Sequence, residues 1–73
     1  MNEIIFNILK KVLQVDNVNE ETSQNNTFEW DSLKHLMLVV ELESAFDVEF
    51  EPEEIADMKS FKDIKRLLQL KTD

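Results

Sequence analysis

Ser32 has the most chemical promise in this 73-residue chain, because of what surrounds it. It stands in Trp30-Asp31-Ser32-Leu33, with His35 three residues on, where a stretch rich in Asn and Thr gives way to an apolar run. A serine hydroxyl at such a junction can act as a nucleophile, accept a covalent group, or merely cap a helix. A nucleophile needs a base, an orienting acid and an oxyanion hole. His35 falls on roughly the same helical face as Ser32, but a small bundle without glycine supplies the other two parts poorly. His35 is therefore expected at the surface, without a catalytic role. Capping accounts for the serine on local sequence alone.

The carboxylates form the other chemical cluster. Between Glu41 and Asp57 lie Glu41, Glu43, Asp47, Glu49, Glu51, Glu53, Glu54 and Asp57, with no Lys or Arg among them. Asp47, Glu49, Glu51 and Glu53 imitate the start of an EF-hand loop. Its central glycine position is Pro52 and its closing glutamate position is Met58, so a calcium loop is excluded and no metal is expected. The run is either a solvated face or an electrostatic docking patch. The whole chain has 16 Asp plus Glu against 8 Lys plus Arg, a formal charge of −8. That balance argues against nucleic acid and anionic membranes as partners, because both are bound through cations. It favours basic patches on partner proteins.

These residues must be positioned by one small domain spanning 1–73, since so short a chain has material for a single core. With no cysteine, neither a disulfide nor a thiolate metal site can staple it. No apolar run reaches the ~18 residues of a membrane span. The start, MNEIIFNILKKV, lacks the features of a secretory signal, so a cytoplasmic location is expected.

Helical periodicity dominates. Ile5, Ile8, Leu9 and Val12 share one face of a helix over 3–14, with Asn2 as its expected cap. Residues 15–30 read as a long ordered loop pinned by Val15, Val18, Phe28 and Trp30, with Asn25 or Asn26 expected to take any left-handed position. A second helix over 32–46 starts at the candidate cap Asp31. It carries a core stripe of Leu38, Leu42 and Phe46 with Val39 and Ala45 beside it. A second stripe, Leu33, Met37 and Val40, is either further burial or a partner-binding face. Pro52 opens a short third helix ending near Asp57 or Met58, with Ile55 and Met58 inward. Ser60 and Asp63 imitate a capping box before a fourth helix over 61–70, which turns Phe61, Ile64, Leu67 and Leu68 inward. Nothing alternates with strand periodicity. The expected fold is an all-α four-helix bundle with three longer helices, a short third one and a long first loop.

With Leu36–Glu43 and Phe46-Asp47-Val48-Glu49-Phe50 following it, the Trp30-Asp31-Ser32-Leu33 segment resembles the phosphopantetheine site of acyl and peptidyl carrier proteins. The likeness runs over nearly the whole chain and favours the free-standing carriers of dedicated pathways. It implies that Ser32 receives 4′-phosphopantetheine from coenzyme A through a phosphopantetheinyl transferase, with Asp31 assisting recognition and Leu33 as a hydrophobic contact. It implies a monomeric, non-enzymatic carrier whose arm holds an acyl or aminoacyl thioester for a fatty-acid, polyketide, nonribosomal-peptide or other pathway. A loading ligase and acyl-transfer enzymes would be its partners, docking on Leu33, Met37, Val40, Glu41 and Glu43. An apolar cargo could shelter near Leu42, Ile55, Met58, Phe61 and Ile64. The sequence departs from the fatty-acid pattern at Glu29, where glycine is frequent, and at Lys34, Met37 and Ser44, where acids are frequent. These departures bear on which enzymes dock. The competing reading is an unmodified acidic module that presents Leu33, Met37 and Val40 to a partner helix.

Overall fold

A computed structural model of the chain describes residues 1–72. Its helices are α1 (Asn2–Leu13), α2 (Ser32–Phe46), α3 (Pro52–Asp57) and α4 (Phe61–Lys71), with a single 3-10 turn at Gln24–Asn26 in the long α1–α2 connection. Among the described residues the only β-type pairing is an isolated bridge between Ser23 and Ser60. The all-α bundle expected from periodicity is the fold observed.

One apolar cluster joins all four helices: Ile5, Leu9 and Leu13 from α1, Leu38 and Leu42 from α2, Met58 after α3, and Phe61, Ile64 and Leu68 from α4. Each of these is at most 1% exposed. Phe6 stacks on Phe61 with ring centroids 4.6 Å apart, joining α1 to α4. Two expected core positions differ. Ala45 is exposed, and Phe46 is half-buried, packed against the edge of the cluster.

The long connection is ordered by hydrogen bonds to the α3–α4 junction. The Phe61 N–H donates to the Thr22 carbonyl at 2.8 Å, and the Gln24 N–H donates to the Lys59 carbonyl at 2.9 Å. Thr22 is buried, and its hydroxyl accepts from the Asn19 N–H at 2.9 Å. Val15, Val18 and Trp30 do pin the loop, but Phe28 does not: it is 97% exposed. The Trp30 N–H closes a turn onto the Thr27 carbonyl at 3.0 Å, which turns the indole inward and leaves Phe28 outside.

Cap assignments also shift. Asn2 is the first residue of α1, and Met1 precedes it without a side-chain cap. The left-handed residues are Gln14 (φ 58°) and Asp47 (φ 54°), not Asn25 or Asn26. Both terminate helices, where the chain must reverse and glycine is the usual solution. With no glycine available, these residues bear the Cβ penalty. Asn26 works instead through its side chain, accepting from the Ser23 N–H at 3.0 Å and donating to the Glu21 carbonyl at 2.8 Å. The expected capping box at α4 is half formed: Ser60 Oγ accepts from the Asp63 N–H at 3.1 Å, while the Asp63 carboxylate accepts from the Lys59 N–H at 3.1 Å.

Candidate functional site

The start of α2 concentrates the polar chemistry. Asp31 is extended (φ −96°, ψ −175°) and caps the helix, its Oδ1 accepting from the Lys34 N–H at 2.9 Å. Its carbonyl takes the His35 N–H at 2.8 Å. The N–H groups of Ser32 and Leu33, first in the helix, have no intrahelical acceptor by geometry. Ser32 itself is exposed and is not the cap. Its hydroxyl therefore stands free beside two open N–H donors at the positive end of a 15-residue helix. An exposed hydroxyl so placed suits a phosphate ester, whose charge these groups would stabilise.

Two neighbours fix this helix start. Lys34 Nζ donates to the Val12 carbonyl at 3.2 Å and lies 3.4 Å from Gln14 Oε1, so it satisfies a carbonyl at the C-terminus of α1. That contact explains a cation where the carrier pattern has an acid.

His35 corrects the expectation of a surface residue. The indole Nε1–H of buried Trp30 donates to His35 Nδ1 at 3.0 Å, and His35 Nε2 lies 2.8 Å from the Ile55 carbonyl. An indole N–H can only donate and a carbonyl can only accept, so in this arrangement Nδ1 is the acceptor and Nε2 the donor. His35 thus ties the long loop, α2 and α3 together one turn from Ser32. Sequence reasoning missed it because Ile55 is 20 residues away. The signal that was available is a His five residues after a lone Trp, a ring that needs a partner for its N–H when buried.

The outer face of α2 is apolar and uncovered. Leu33, Leu36, Met37 and Val40 are 66%, 57%, 45% and 63% exposed. Met37, Val40 and Val12 line a shallow groove between α1 and α2, edged by Lys11 and Glu41. The Lys11–Glu41 ion pair is 3.1 Å long. Glu43 points elsewhere, its carboxylate accepting from the Phe50 N–H at 2.9 Å. Glu54 bonds the Glu51 N–H at 2.7 Å and Lys71 Nζ at 2.9 Å. The backbone bond and then the Lys71 ammonium hold its carboxyl below the usual value. Asp47, Glu49, Glu51, Glu53 and Asp57 remain exposed. Leu42, Met58, Phe61 and Ile64 come together as solid core, with Ile55 half-buried against them.

Comparison with known proteins agrees with this geometry. A family model described as the phosphopantetheine attachment site matches residues 3–68. Two relatives, each a D-alanyl carrier protein from Lactococcus lactis subsp. cremoris (strains MG1363 and SK11), are 35% identical over 77 aligned positions, covering 100% of this chain and 98% of theirs. A solved structure described as an acyl carrier protein from Mycobacterium tuberculosis superposes with a TM-score of 0.85 at 23% identity, over 94% of this chain and 95% of that one, which speaks for the fold. The exposed hydroxyl and the two open N–H groups at the head of α2 fit the phosphodiester that joins 4′-phosphopantetheine to a serine. From its helix order, its free serine and its match over residues 3–68, the chain belongs to the phosphopantetheine-binding acyl carrier family, non-catalytic proteins that serve biosynthetic enzymes as a substrate.

Proposed function

We propose that Ser32 is the attachment serine, and that the chain works as one carrier domain, monomeric and cytoplasmic. The observation that carries this reading is the free hydroxyl of Ser32 beside open N–H groups, with the capping role taken by Asp31. Were Ser32 the cap, its oxygen would already hold the N–H that Asp31 holds. When attached, the arm supplies a terminal thiol on which an acyl or aminoacyl group is held as a thioester. The chain's own task is to present that arm from a rigid helix start. Asp31 and Lys34 fix the first turn, and Trp30 and His35 brace it from the side.

A carrier of this kind interacts with transferases and biosynthetic enzymes. For this chain the partners are a phosphopantetheinyl transferase and a loading ligase. Leu33, Met37 and Val40 supply the apolar contact, because the fold leaves them largely exposed. Glu41 keeps a docking role at the edge of that face, in exchange with its Lys11 pair. Glu43 contributes by shaping the Phe46–Phe50 turn, since its carboxylate is committed to the Phe50 N–H.

The cargo is a small aminoacyl group. The name of the two full-length relatives points to D-alanyl. The packing of the bundle agrees: an apolar chain sheltered near Leu42, Ile55, Met58, Phe61 and Ile64 would have to part side chains of which four are at most 1% exposed. Overpacking a filled core costs typically about 1–3 kcal/mol. A short polar cargo makes no such demand. Intact mass after co-expression with a broad-specificity transferase tests the site: wild type gains one phosphopantetheine and Ser32→Ala gains none. Modification of the alanine variant would refute the assignment. Incubating the modified protein with aminoacyl-adenylating and fatty-acyl-adenylating ligases then tests the cargo.

A further inference from the structure

An open groove of about 460 Å³ begins at Ser32 and is lined by Gln24, Trp30, Asp31, His35 and Leu36. Its volume falls in the range of about 300–1,000 Å³ usual for small-molecule sites. Two of its walls are polar groups already in use. The Trp30 indole occupies the single lone pair of His35 Nδ1 at 3.0 Å, and His35 Nε2–H is spent on the Ile55 carbonyl. Gln24 Nε2 lies 3.4 Å from the same Nδ1, which has no second lone pair to give it. The Gln24 carboxamide therefore keeps both its donor and its acceptor capacity while facing the groove. The backbone that carries it is held in place, its N–H bonded to the Lys59 carbonyl at 2.9 Å. The groove also offers Leu36, an apolar side chain 57% exposed with no role in the core.

We propose that this groove seats the pantetheine arm, with Gln24 pairing with an amide of the arm and Leu36 packing on its branched pantoyl methyls. The inference rests on Ser32 being the attachment point. The occupant follows from the tether, since a group bonded to Ser32 is held at the mouth of the groove at high effective concentration. It follows also from chemistry. Pantetheine is a chain of two secondary amides behind a gem-dimethyl centre, and a carboxamide can both donate to and accept from an amide. Trp30 and His35 give this seat a rigid wall. The arm then lies along the bundle between visits to partner enzymes, and those enzymes draw it out.

Nuclear magnetic resonance of apo- and phosphopantetheinyl-protein, with intact mass on the same samples, tests this. The expected result is that attachment shifts the side-chain amide of Gln24 and the indole N–H of Trp30 in addition to the backbone around Ser32. In modified Gln24→Leu the indole shift is lost, and in modified Leu36→Ser it falls by half or more; melting curves confirm that both variants fold. Full mass gain with shifts confined to Asp31–Leu33 would overturn the seat and leave Ser32 standing. No mass gain on wild type would overturn the attachment site, and the seat with it.

Discussion

The two faces of α2 use the same residue types for opposite ends. On the inner face Leu38, Val39 and Leu42 are at most 4% exposed and join the core cluster that α1, α4 and Met58 share. On the outer face Leu33, Leu36, Met37 and Val40 are 45% or more exposed and stand outside the core cluster. Burial of an aliphatic side chain is worth about 1.5–3 kcal/mol, so the inner face explains why the helix is there. The outer face gains the fold none of this. Its position beside Ser32 fits the docking surface proposed above, one that a partner would cover on reaching for the arm.

Truncation should separate the faces most sharply. Leu38→Ala is expected to cost about 2–5 kcal/mol, a large fraction of the stability of a 73-residue domain. Met37→Ala should stay within about 0.5 kcal/mol of wild type while slowing modification by the transferase. Chemical denaturation and a modification time course read the two effects. A Met37→Ala variant less stable than Leu38→Ala would reverse the assignment of faces.

The next effect lies between the faces, at His35. His35→Ala leaves the Trp30 indole N–H and the Ile55 carbonyl without their partner, at a cost of about 1–3 kcal/mol. Because His35 braces the loop against α2 and α3, Trp30 fluorescence should also change in the folded variant. A variant with wild-type stability and an unchanged indole spectrum would reduce the link to a bystander.

A gain of stability is expected at the end of α1. Gln14→Gly relieves a left-handed non-glycine residue and should stabilise by roughly 1 kcal/mol, without effect on modification. A loss of stability there would contradict the backbone reading.

The smallest effect concerns the end of the bundle away from Ser32. Glu54 joins α3 to Lys71 on α4, and its carboxyl is held below the ordinary value of 4.5. Its folded pKa lies below its unfolded one, so its contribution is present above the unfolded value and fades as pH falls through the folded one. Glu54→Gln should therefore lower stability slightly at neutral pH, leave it unchanged at low pH, and so flatten the acid limb of the stability profile. An acid limb identical to wild type would mean the ion pair contributes nothing.

The helices themselves could be read from the chain because period, caps and breakers agree locally: Asp31 does cap α2, Pro52 does open α3, and Phe61, Ile64, Leu67 and Leu68 do face inward. What escaped depends on partners distant in sequence or on the turn geometry of one residue. His35 needed Ile55, and Thr22 and Gln24 needed the α3–α4 junction. Phe28 and Trp30 are two apolar residues two positions apart, and only the turn between Thr27 and Trp30 decides which goes in. The left-handed positions escaped because helix termination imposed them on Gln14 and Asp47, residue types that do not advertise that conformation. At the site, motif and helix order pointed to Ser32 as the proposed attachment serine, while the polar side of its groove became visible only when Gln24 was folded against it.

The central claim is that α2 exists to present a free Ser32 hydroxyl, and intact mass of wild type and Ser32→Ala after exposure to a transferase and coenzyme A tests it most directly. Because Asp31 supplies the cap, the alanine variant should melt within about 0.5 kcal/mol of wild type and gain no mass, while wild type gains one phosphopantetheine. An unmodified wild type, or a folded Ser32→Ala that still takes the group, would contradict it.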